Sequence, residues 1–206
     1  MPRRQGTATK DVRMRQRVAE EAARIMAEEG INDYLLAKRK AAERLGAPDT
    51  RNLPRNREIQ DALIDRQRLF GGARQEALVR ELRSAAVEAM RFLQRFKPRL
   101  VGSVLHGTAT EHSDINLHLF AETAEDVVFF LMEHDIPFES TDRRFRFGRE
   151  EYVSVPVYRV VAGDTVVDLS VFPIKGLREA PRSPVDGQPM ERGGIAIVQE
   201  RLAASV

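Results

Sequence analysis

Cysteine is absent from this 206-residue chain. Its absence excludes disulfides, Cys-ligated zinc and a Cys nucleophile. It fits a reducing compartment, and a cytoplasmic location is expected. No run of about twenty apolar residues occurs, so no membrane-spanning helix is expected. The basic start, Met1-Pro2-Arg3-Arg4, has no apolar run behind it and is not expected to act as a secretory signal. A dense basic run is missing too, so Lys38-Arg39-Lys40 reads as a solvated helix face.

What is present suits an ordinary globular protein, with 42% apolar residues to build a core. The net charge of +2 is unevenly spread. Residues 1–72 carry 16 Lys and Arg against 11 Asp and Glu, while the remainder carries 17 against 20. A basic appendage on a mildly acidic body is compatible with an anionic partner such as RNA. A solvated helix surface is the plainer alternative.

Periodicity divides the chain in the same place. After a loose tail over residues 1–10, apolar residues recur at helical spacing over 11–29, 33–45, 56–70 and 73–96. Gly30, Gly46 and Gly71-Gly72 are expected stops, and a loop is expected over 47–54. Beyond Pro98 the pattern changes to strands over 99–105 and 114–121, a helix over 124–134 and an extended segment over 136–147. A hairpin follows over 152–161 and 165–172, turning at Ala162-Gly163-Asp164. A short helix over 195–203 closes the chain. The expected domains are a helical extension over 1–72 and an α+β domain over 73–206.

The chemistry concentrates in the second part. Side chains alternate along a strand, so Asp114, Asn116, His118 and Phe120 share one face while Ile115, Leu117 and Leu119 face a core. Val166, Asp168 and Ser170 share a face of the last hairpin strand. Asp164 reads as a turn residue. Arg144 and Arg146 alternate with Phe145 and Phe147, as charged residues in water or as phosphate contacts.

Gly102-Ser103, then Gly107-Thr108-Ala109, then Ser113-Asp114-Ile115-Asn116-Leu117, then Val167-Asp168-Leu169 together resemble the signature of the nucleotidyltransferase superfamily, the DNA polymerase beta-like group. The resemblance covers roughly residues 74–173. It implies an α+β, nucleotidyltransferase-like mixed sheet backed by helices. It implies that Asp168 lies beside Asp114 and Asn116. Asp114, Asn116 and Asp168 would then be the catalytic and metal-binding residues for Mg2+ or Mn2+. Gly102, Ser103, Gly107, Thr108 and Ser113 would hold a nucleoside triphosphate such as ATP. His118, His106, Arg144 and Arg146 are possible accessories. The implied reaction moves a nucleoside monophosphate to an acceptor hydroxyl on RNA, a protein or a small molecule.

One position departs from the pattern. Asn116 stands where the family usually has Asp or Glu, so the site holds two negative charges instead of three. Three readings stay open: an active metal-dependent transferase, a catalytically silent nucleotide- or RNA-binding module, and a helical interaction protein using the fold as a scaffold.

Overall fold

The computed structural model describes residues 4–47, 52–148 and 151–204, with side chains from residue 11 onward. The chain forms two compact units: residues 1–75 with 110–112 and 184–186, and the remaining residues.

The first unit is helical. It contains α1 (Arg4–Glu29), α2 (Tyr34–Arg44) and α3 (Asn56–Phe70). Val18, Ala22, Ile25, Ala37, Ala41, Ile59 and Leu63 are buried together at its centre. The small alanines let the helices approach closely, and the larger Ile25 and Ile59 fill the gap. The Asp33 carboxylate caps α2 by accepting from the Leu36 backbone N–H at 2.8 Å. The helix starts earlier than the sequence implied, at Arg4. Part of the expected loop over 47–54 lies outside the described residues.

The second unit is a five-stranded mixed sheet. Its strands are β1 (Arg99–Val101), β2 (Ile115–Ala121), β3 (Phe138–Phe147), β4 (Glu151–Ala162) and β5 (Thr165–Pro173), in the order β1-β2-β5-β4-β3. The β2–β5 pair is parallel and the other pairs are antiparallel. Helix α4 (Gly72–Phe92) and helix α6 (Glu125–Glu133) supply Leu82, Ala86, Met90, Phe130 and Leu131 to one core. Ile115, Leu117 and Leu119 of β2 enter that core with Val167, Leu169 and Val171 of β5. Helix α7 (Ile195–Ala203) adds Val198. The fold class is therefore α+β, with a mixed sheet backed by helices.

One expected strand is shorter than its apolar pattern. Residues 99–105 read as a continuous strand, yet β1 stops at Val101 and α5 (Gly102–His106) follows. Gly102 has φ +75, a conformation that turns the backbone out of the ladder. Val104 and Leu105 are buried from this short helix instead. The apolar pattern recorded burial correctly but could not distinguish a strand from a buried helical turn.

Candidate functional site

Three neighbouring strands assemble the site by register. Val101 at the end of β1 pairs with Asn116. Asn116 pairs with Asp168, and Asp168 pairs with Arg159 of β4. Paired residues present their side chains on the same face. The Gly102 turn thus begins beside Asn116, on the sheet face opposite the helices. Asp114 lies just before β2.

The hairpin turn fixes the last of these pairings. Gly163 has φ +61 and lets Ala162 pair with Thr165 across a two-residue loop. Counting back along both strands from that turn sets Arg159 opposite Asp168. Arg143 reaches the same place from β3, where it shares a face with Phe145 and Phe147.

The two arginines bind the acidic groups closely. Arg159 donates from Nε to Asp168 Oδ1 at 2.9 Å and from Nη2 to Asp114 Oδ2 at 2.9 Å. Arg143 donates to Asp168 Oδ2 at 2.8 Å and to Asn116 Oδ1 at 3.1 Å. The Asp168 side chain is only 4% exposed, so its charge requires these partners. Burial pushes the Asp114 carboxyl above its usual range, Arg159 opposes that shift, and Asp168 adds to it. Hydrogen bonding to Asp168 raises Arg159 further. Two carboxylates and two guanidiniums bring the site to formal neutrality.

The remaining sequence-derived candidates scatter. Ser103 is half-buried, and its backbone carbonyl accepts from the Thr108 N–H at 2.9 Å. Gly107 ends α5 and Thr108 is buried. Ser113 is half-buried directly before Asp114. His106 lies 3.1 Å from Glu191, which also pairs with Arg201. Arg144 lies over the Tyr152 ring at 5.0 Å. Arg146 adjoins Gly187, where an added Cβ would meet its guanidinium at 3.0 Å. Neither arginine reaches the carboxylates, because both alternate away from Arg143.

His118 keeps the predicted face but is 1% exposed. Its ring packs on Phe145 and Phe172, and its Nδ1 accepts from Arg192 Nε at 3.1 Å. Burial, reinforced by Arg192 and then Arg143, pushes its pKa down to about 3. Arg192 extends over the Phe120 and Phe172 rings at 5.1 and 5.4 Å. His118 is therefore a neutral core residue beneath a cationic roof.

Magnesium or manganese would require hard oxygen donors. Both Asp168 oxygens, the Asn116 carbonyl oxygen and one Asp114 oxygen already accept from guanidiniums. A dication between them would also face two nearby positive charges. Among the described residues, no group of three or more Asp, Glu, His or Cys could hold an ion. The donor set as arranged does not fit a divalent metal.

Sequence reasoning missed Arg143, Arg159 and Arg192. The turn at Gly163 carried enough information to place Arg159 beside Asp168. Strand alternation likewise placed Arg143 with Phe145. Arg192 gave no local signal, since it arrives from 74 positions beyond His118.

No protein-family model and no curated protein matches the chain. Solved structures resemble it weakly. The Cid1 poly(U) polymerase bound to MgGTP shares 16% identity at a TM-score of 0.31, over 45% of this chain and 32% of that one. Cid1 with its short product ApU shares 18% at 0.30, over 45% and 30%. A cytoplasmic RNA terminal U-transferase shares 18% at 0.30, over 45% and 28%. The chain thus spans less than a third of these proteins' length. Among the described residues, no helix is long and apolar enough to cross a membrane.

Proposed function

We propose that the sheet unit is a nucleotide-binding module of nucleotidyltransferase type. A nucleoside triphosphate such as ATP or UTP binds with its phosphates near the Gly102-Ser103 turn and against the Asp114, Asn116 and Asp168 face. The register carrying Val101 to Asn116 and Asn116 to Asp168 supports this reading most directly, because it sets the turn beside the polar face. Apart from its chain neighbours and its own helix, nothing lies within 4 Å of where a Gly102 Cβ would stand, so a phosphate oxygen can approach that backbone closely. Gly107, Thr108 and Ser113 shape the loop between the turn and Asp114.

Transfer to an acceptor hydroxyl on RNA, a protein or a small molecule is the second reading. Its support is the Asp114 Oδ1 atom, which has no partner among the described residues and can accept a proton from a nucleophile. The donor arrangement supplies no step through Mg2+ or Mn2+. RNA binding by the basic helical unit would accompany either reading, as would a cytoplasmic setting.

Equilibrium binding of fluorescent ATP and UTP to the full chain tests the first reading. Gly102→Val should weaken binding at least about tenfold, corresponding to about 1.4 kcal/mol. Unchanged affinity with an intact circular dichroism spectrum would remove the turn from the site. Radiolabel transfer to total RNA or protein tests the second reading. Transfer should vanish in Asp114→Ala, and absence of any transfer leaves the silent module.

A further inference from the structure

We infer that Arg143 and Arg159, and not a divalent ion, are the groups that meet the phosphates of a nucleotide at this site, through N–H donors that the protein leaves unused. This inference rests on the nucleotide reading above and specifies how the phosphates are held.

The guanidiniums are not fully used by the protein. Arg159 spends Nε and Nη2 on Asp168 and Asp114, and its Nη1 has no partner among the described residues. Arg143 spends both Nη atoms on Asp168 and Asn116, leaving Nε free among the described residues. Their side chains are 44% and 43% exposed for Arg143 and Arg159, whereas Asp168 beneath them is 4% exposed. The carboxylate therefore anchors two planar cations whose side chains stay nearly half exposed. Their unused N–H groups suit phosphate oxygens.

Asn116 contributes to the same balance. A carboxylate at that position would give the group a net negative charge and repel a triphosphate in the absence of another cation. The amide keeps the group neutral while accepting from Arg143 through its oxygen and donating to the Asp114 carbonyl at 3.0 Å. Replacement of an acid by an amide and recruitment of two arginines are thus one arrangement.

The test is equilibrium binding of fluorescent UTP and ATP to the full chain, once with excess EDTA and once with excess Mg2+. Affinity in EDTA should lie within about threefold of that in Mg2+, equivalent to less than about 0.7 kcal/mol. Arg143→Gln should lower affinity at least about tenfold in EDTA, because a charge-assisted phosphate contact is lost. Its circular dichroism melt reports whether the variant is folded. Binding that requires Mg2+ would overturn the inference and leave the nucleotide reading intact. Binding in EDTA that Arg143→Gln does not alter would also overturn it. No nucleotide binding under either condition would overturn both. If Arg143→Gln does not fold, the EDTA comparison on the unaltered protein still decides.

Discussion

The helical unit and the sheet unit use the same chemical pair in different settings. In the helical unit, Arg15 grips Glu58 through two hydrogen bonds of 2.8 and 2.5 Å, with both side chains partly in water. In the sheet unit, Arg159 grips Asp168 at similar distances, but the carboxylate is buried on a strand face. Water can replace the lost partner in the first setting and not in the second. The difference shows that the distance of an ion pair says little about its consequence. Position on the sheet sets one pair within a buried polar cluster, while position on a helix surface leaves the other a fastener.

Asp168→Ala offers the largest way to break this contrast. It leaves Arg143 and Arg159 facing each other without their shared acceptor. It should lower stability by about 2 kcal/mol, the loss of charge-assisted hydrogen bonds to a buried acceptor, moderated by the water that reaches both arginines, read as a lower urea midpoint for exchange of amides in β2 and β5. A loss no greater than that from Arg15→Ala would erase the distinction.

Acid should separate the units next. His118 titrates at 6.5 when unfolded and near 3 when folded, so the sheet gains stability from it above 6.5 and loses that stability as pH falls towards 3. The slope approaches about 1.4 kcal/mol per pH unit, or about 2 kcal/mol by pH 5. In the helical unit, Arg15 lowers the Glu58 carboxyl to about 2 from an ordinary 4.5. Its contribution is present above 4.5 and is lost only as pH falls towards 2. Exchange rates corrected for intrinsic pH dependence should therefore rise first in β2, and His118→Leu should flatten that response. Loss of protection in α1 before β2 would reverse the expected order.

Arg15→Ala should have the smallest effect. Exposed pairs are screened by solvent, so the urea midpoint of the helical unit should reflect a loss below about 1 kcal/mol. A larger loss would show that the Arg15 stem also seals the helix junction.

The contrast also bears on what the sequence could reveal. Helix α3 runs over Asn56–Phe70, as its periodicity implied, because Gly71 and the flanking polar residues act locally. The hairpin was legible for the same reason, since Gly163 supplies the turn. Asp114, Asn116 and Asp168 lie together as the resemblance implied. The arginine partners were harder to recognise. Each depends on a cross-strand register, and Arg runs are more often read as surface charge. His118 shows the complementary limit. Alternation placed its face correctly, but only a distant residue, Arg192, determined that the face is covered there.

That covering divides one side of the sheet into a wet end and a dry end. Arg192 also donates to the Gly176 carbonyl at 2.7 Å, tying the loop after β5 down over the aromatic rings. Two residues along β2 from Asn116 span only about 7 Å before that barrier begins at His118. A chain-like ligand laid lengthwise on the strand would run into it almost at once. Across the strands the polar face instead continues from Asn116 through Asp168 to Arg159, so it runs crosswise to the strands and not along them.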